Sequence, residues 1–261
     1  MDLLSPLLDI YVERWIVVLL VFVRITGIFI ISPIFRLQAV PFPIKIFLAM
    51  ILSVLIVSTI NLDVNIDFEL LSLILVINKE LFTGMILGFA INLVFWGMRF
   101  GGAIVDYEMG FFAASLLNFS ETTPTIFGEF LEWMTLMIFF LINGHHQIFE
   151  ALYVSFVKIP IGVASFTTLT IQELAKFMSI VTIIALKISA PIFVSTFLIN
   201  LSLAMLSRMA PQTNIFIISF QVKILAALLV FFLSISFFVY ASKQFLEIFQ
   251  NQTYYLLSTI G

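Results

Sequence analysis

The chain contains no cysteine, and only 10% of its 261 residues are charged. Without thiols there is neither a disulfide framework nor a thiolate metal site. A soluble domain is about 25% charged and roughly 45–50% apolar. Here hydrophobic residues reach 62%, too many for the polar residues to cover in water. Disorder needs the opposite bias. Lysine and arginine total 12 against 15 acids, a net charge of −3, which argues against the basic patch of a nucleic-acid binder. Also missing are Gly-x-Ser-x-Gly, a Walker sequence, Gly-x-Gly-x-x-Gly and His-Glu-x-x-His. No enzyme, cofactor or metal centre is expected.

What is present is long, unalternating apolar sequence, with a mean hydropathy of +1.20. Barrel strands would alternate over about 10 residues, whereas bilayer-spanning helices need about 20 apolar residues in a row. The expectation is an all-α integral membrane protein, one domain over residues 1–261, of about six long hydrophobic segments. Apolar runs cover residues 15–35, 42–60 (after a Pro41-Phe42-Pro43 break), 70–96, 133–142, 177–206 and 215–240. The fourth is short and resumes, past Asn143-Gly144-His145-His146, as an amphipathic piece to Pro160. Residues 99–132 read as an acidic, glycine-containing connector, and residues beyond 240 as a polar and aromatic tail. Loop lysines and arginines tie between the two sides, so the positive-inside rule leaves the orientation open.

Charges interrupt the apolar runs. Arg24 lies mid-run, Lys79 and Glu80 break the third run, Lys187 the fifth, and Lys223 lies a little inside the sixth. A lysine or arginine at a helix centre costs roughly 2.5–3.5 kcal/mol on insertion scales. Arg24 and the Lys79–Glu80 pair are too deep to reach the interface, and therefore face protein. Lys45 and Lys223 fit either burial or snorkelling. The preferred reading is that several helices pack on other polypeptides rather than on lipid. Gly84 and Gly88, and Gly97 and Gly101, are pairs at four-residue spacing, which puts two small residues on one helix face. Pro191 should kink the fifth helix. Asn92, Asn200 and Ser202 are candidates for bonds across helices.

Two constellations are candidates for chemistry. His145 and His146 are adjacent and point to different faces, while His146 and Glu150 share one; a structural or capping histidine is the simpler reading. Glu129 and Glu132 fit the acid-rich start of a helix. The stretch Met109, Gly110, Phe111, Phe112, Ala113, Ala114 and Ser115 joins a glycine to bulky apolar groups. Such groups seal a lumen by dewetting, but taken alone these residues read as packing core.

The residues then match a family along nearly the whole chain. The pieces are Arg24, Gly27, Ser32-Pro33 and Val40-Pro41; Glu80, Gly84, Gly88 and Gly102; Met109-Gly110-Phe111 and Ala114-Ser115; and Gly144-His145-His146, Ser155-Phe156 and Ile159-Pro160-Ile161-Gly162. Last come Ala190-Pro191, Asn200, Arg208-x-Ala210-Pro211-Gln212-x-Asn214-x-Phe216, and Lys223. In order and at this spacing, they resemble the flagellar biosynthetic protein FliR family and its counterparts in virulence-type type III secretion. The chain departs from the family pattern at Asn118-Phe119 and at Gln221.

The resemblance implies a core subunit of the export gate in the bacterial inner membrane, at the flagellar basal body. Its partners would be FliP-, FliQ- and FlhB-like membrane proteins, its cargo unfolded flagellar subunits. The 109–115 stretch would be a plug beside a methionine-rich gasket, which raises that reading above the packing core. Arg24, Lys79, Glu80, Gly84, Gly88, Gly97, Gly101, Pro191, Arg208, Pro211, Gln212, Asn214 and Lys223 would serve helix packing and assembly. The rival reading is a small six-span secondary transporter, which would show internal repeats and broken helices meeting at mid-membrane.

Overall fold

The structure is a computed structural model and describes residues 5–33, 41–60, 70–111, 125–210, 212 and 215–260. Among them all regular structure is helical, in eight segments. These are α1 (Ser5–Ile31), α2 (Phe42–Thr59), α3 (Leu70–Met109), α4 (Ile126–Leu141), α5 (Gly144–Lys158), α6 (Thr168–Met209), α7 (Ile215–Leu233) and α8 (Ile235–Ile260). Four helices are individually long and apolar enough to cross a membrane. Two bent pairs, α4 with α5 at 75° and α7 with α8 at 64°, raise the number to six if each pair counts as one span. The expected all-α membrane architecture of about six apolar segments is therefore what the chain adopts.

Local chemistry accounts for most boundaries. Pro41 stands at the N-cap of α2 and Pro43 within its first turn, positions where a missing N–H costs nothing. Asn143 adopts a left-handed conformation, φ 58°, and turns the chain between α4 and α5. Asparagine is one of the few side-chain-bearing residues that accept this conformation readily. Pro191 lies inside α6, which is helical on both sides of it.

Several boundaries differ from the sequence reading: α1 begins at Ser5 rather than 15, α4 at Ile126 rather than 133, and the sixth run breaks between Leu233 and Ile235. The third segment does not stop at Trp96; α3 continues through the glycines and acids to Met109. The fifth begins at Thr168 rather than 177. The supposed tail is the helix α8.

The chain divides into two compact units. The first comprises Met1–Leu93, Asn143–Phe177 and Phe249–Gly261. In it α1 packs on α2, which buries only Ala49, Ser53 and Ile56 among its residues. The same unit is pinned at its C-terminal piece, where the Ser165 N–H donates to the Ile260 carbonyl at 3.0 Å and the Thr170 hydroxyl to the Thr259 carbonyl at 3.1 Å. The second comprises Val94–Ile142 and Met178–Ile248. There Phe95 meets Phe139 edge to face at 5.8 Å, and Phe231 gathers Phe127, Phe130 and Phe238 around it at 5.0–5.5 Å.

Much apolar surface faces outward. Only 17% of α2's 18-residue span is buried within the chain, and 22%, 33% and 39% of the spans in α3, α6 and α1. Apolar faces of this extent are covered by lipid or by other polypeptides.

Candidate functional site

Two polar constellations stand out against this apolar background, one in each unit. In the first unit, Arg24 on α1 and Glu80 on α3 are both fully buried and pair at 2.5 Å, Nε to Oε2. The rest of the guanidinium is also satisfied. Its Nη1 donates to the Ser155 carbonyl and the Ile159 carbonyl at 3.1 Å, and Nη2 to the Ile159 carbonyl at 3.1 Å. The guanidinium carbon lies 4.2 Å from the centre of the Phe156 ring. The other Glu80 oxygen accepts the Gly162 N–H at 3.0 Å.

The Ile159-Pro160-Ile161-Gly162 turn is thus held from three sides, because Lys79 also donates to the Gly162 carbonyl at 3.2 Å. Gly162 has φ +81°, a conformation that suits glycine. A buried charge pair is tolerable only when its remaining donors and acceptors are met. Here they are met inside this chain. Lys79, by contrast, is exposed.

Backbone contact makes the pairing possible. A Cβ on Gly84 would overlap the Arg24 carbonyl oxygen, and one on Gly88 would lie 2.8 Å from the Ile28 carbonyl oxygen. From the other side, a Cβ on Gly27 would lie 2.7 Å from the Leu81 carbonyl oxygen. Glycines at this crossing let α1 and α3 touch main chain to main chain, one helical turn from Glu80.

In the second unit, Gly97 faces Val181 and Phe245, and a Cβ on Gly101 would lie 2.9 Å from the Ala185 carbonyl oxygen. The same stretch of α3 meets the start of α4. A Cβ on Gly102 would lie 2.5 Å from the Gly128 Cα. Asp106, one turn further on and 4% exposed, accepts the Phe127 N–H on both carboxylate oxygens at 3.0 and 3.1 Å and the Gly128 N–H at 3.2 Å. Arg99, one turn earlier, pairs with Glu129 at 3.7 Å and Glu132 at 3.6 Å on an exposed surface.

The segment that leaves α3 starts with Met109, fully buried, and Gly110 at φ +88°. Phe111 follows, with its ring edge-on to Phe220 at 6.2 Å. Phe112, Ala113, Ala114 and Ser115 lie outside the described residues, as do Pro211 and Asn214. Lys187, Arg208 and Gln212 are exposed, and Lys223 and Pro191 are half-buried. The histidine rings of His145 and His146 are 4.3 Å apart. Among the described residues, no group of three or more His, Asp or Glu is placed to hold a metal ion.

Sequence reasoning left Asp106 inside the acidic connector of residues 99–132 and missed its role as the acceptor for α4. It also missed Ser155 and the Ile159 carbonyl as partners of Arg24, although both stretches carry the family resemblance. Only the unusual placement of Arg24 within apolar helical sequence hinted at such partners.

Comparison with known proteins places this geometry in context. Residues 15–249 match the family described as bacterial export proteins, family 1. The flagellar biosynthetic protein FliR of Bacillus subtilis is 31% identical over 212 residues, covering 79% of this chain and 81% of the relative. The Yop proteins translocation protein T of Yersinia pestis is 33% identical over 189 residues, 69% of this chain and 71% of the relative. FliR of Aquifex aeolicus is 25% identical over 248 residues, 94% and 96% of the two chains. The apolar helices, the family match and these relatives agree, and the chain belongs to the bacterial export proteins, family 1, the FliR family of type III secretion export-apparatus membrane components.

Proposed function

We propose that this chain is a core subunit of the flagellar export gate in the bacterial inner membrane, and that the segment after α3 plugs the conduit when no cargo occupies it. The observation that carries the reading is the build of that segment: its two ends meet at Asp106 and Phe127, and it opens with a buried methionine, a glycine at positive φ and a phenylalanine. A conduit for unfolded chains must be wide when filled and ion-tight when empty. An apolar loop seals by dewetting and yields without breaking strong polar bonds. FliP-, FliQ- and FlhB-like proteins are the partners this reading calls for, and the largely unburied apolar faces of α2 and α3 supply area for them.

Replacement of Phe111 and Phe112 by alanine should make cells expressing the assembled gate permeable to ions, at unchanged assembly. Unchanged conductance would sink the plug. Affinity purification separates the transporter reading, which expects a stable monomer or homo-oligomer, from the gate subunit, which brings different membrane chains with it.

A further inference from the structure

Helix α6 has one covered face and one open face. Val181, Ala185, Ile188, Ile192 and Thr196 recur at steps of three and four and are fully buried. Helix α3 covers them, with Gly97 against Val181 and Gly101 against Ala185. On the opposite side Ile183, Lys187, Ala190, Val194, Leu198 and Leu201 recur at the same steps and are exposed. That spacing makes a stripe along which a second helix can lie.

Lys187 is the one charged residue of α6 between Lys176 and Arg208. Among the described residues it makes no hydrogen bond or ion pair. Pro191 adds a second polar group at the same place. It lies one turn beyond Lys187 inside the helix and has no N–H, so the Lys187 carbonyl lacks its ordinary helix donor. An ammonium and an under-bonded carbonyl thus sit together within the open apolar stripe.

Lipid alone does not suit this face. Helical rise puts Lys187 about 16 Å from Lys176 and about 31 Å from Arg208. A hydrocarbon layer about 30 Å thick can be set on the helix in two ways. Centred between Lys176 and Arg208, it holds the ammonium among acyl chains about 8 Å from its middle, which is costly. Shifted until Lys187 reaches its edge, it leaves about 16 Å of helix in water, including the exposed Met178, Ile183 and Leu186. A protein cover resolves both.

We propose that the open face of α6 seats a membrane helix from another chain of the export apparatus, and that this helix sets an aspartate or glutamate side chain against Lys187. An ammonium withdrawn from water needs a counter-charge, and a carboxylate is the anion that a helix side chain supplies. The inference rests on the gate-subunit reading and adds to it a docking face and the chemistry of the partner.

The test co-expresses the full chain with its FliP-, FliQ- and FlhB-like neighbours and measures what co-purifies. If the wild-type chain brings no other membrane protein, the gate-subunit reading fails and takes the inference with it. Where it brings them, Lys187→Arg should hold their yield within about twofold, because the charge is kept. Lys187→Glu should lower it about tenfold or more, by facing carboxylate with carboxylate. Lys187→Leu should lower it too, by leaving the partner's carboxylate buried and unpaired. Exchanging one mid-helix aspartate or glutamate of a neighbour for lysine should then restore the yield of Lys187→Glu.

Equal yields for wild type and Lys187→Glu overturn the inference and leave the gate-subunit reading standing. So does a loss that no single exchange restores. Lys187→Leu at wild-type yield also overturns it, since an ammonium that meets lipid headgroups gives that result. Should Lys187→Glu not accumulate, the absence of cysteine from the chain provides a second measurement. Lys187→Cys is then its sole thiol, and under an added oxidant it should form a disulfide with a cysteine put in place of one mid-helix acid of a neighbour. A disulfide at one such position supports the inference, and none at any of them overturns it.

Discussion

The buried Arg24–Glu80 pair makes a quantitative demand. Replacing Glu80 with leucine leaves a guanidinium at zero exposure without its counter-charge, and uncompensated buried charges of this kind cost about 3–5 kcal/mol. Replacing Arg24 with methionine leaves the Glu80 carboxylate with the Gly162 N–H as its remaining bond among those described, at a similar cost of about 3–5 kcal/mol. The double variant removes both charges. The Ser155 carbonyl keeps the Ile159 N–H at 2.9 Å, so the residual losses are the Ile159 carbonyl, about 1–3 kcal/mol for an orphaned buried acceptor, and the Gly162 N–H, which is half-buried and adds less.

The two single costs would add to roughly 6–10 kcal/mol if independent, yet the double variant should lose only about 1–3 kcal/mol. Arg24→Lys should fall between wild type and Arg24→Met, since it keeps the charge and loses the planar fork that reaches Ser155 and Ile159. Reversible unfolding of the purified chain in mixed micelles gives all four corners of the cycle. Additive losses, or single variants that cost under about 1 kcal/mol, would refute the claim that these two groups neutralise one another in a dry interior.

Two further expectations concern the same helix pair. Lys79→Ala should cost under about 1 kcal/mol in the same assay, because an exposed ammonium on one carbonyl at 3.2 Å is replaced there by water; a loss as large as that of Glu80→Leu would contradict this. Gly84→Ala should cost about 1–3 kcal/mol or more, since the new methyl meets the Arg24 main chain rather than a movable side chain, and Gly84→Ala at wild-type stability would mean that α1 and α3 do not cross there.

The sequence disclosed the helical class because apolar runs near bilayer length have few other solutions. It singled out Arg24 and Glu80 because ionised groups in such runs need company, but it assigned the company to other polypeptides. The carbonyls of Ser155 and Ile159 and the amide of Gly162 carry no side-chain signature and are invisible to that reasoning. The extent of α3 was underread because Gly101, Gly102, Asp106 and Glu108 look like a connector. In the structure the two glycines are points of close approach and the Asp106 carboxylate serves another helix. The signal in α8 was present and overlooked. Phe238, Phe245, Phe249, Leu256 and Ile260 recur at steps of seven, four, seven and four and are all buried, the period of a one-sided helix, while the polar residues between them gave the impression of a tail.

The interleaving of the two units along the chain has a consequence for biosynthesis. The pieces of the second unit have all been synthesised once residue 248 is made, whereas the first still awaits Phe249–Gly261. Its ion pair and glycine crossing join α1 to α3 early in translation. The strap formed by Thr259 and Ile260 on Thr170 and Ser165 is made about ninety residues after the two residues it binds. The half begun first is the half whose last piece is made last.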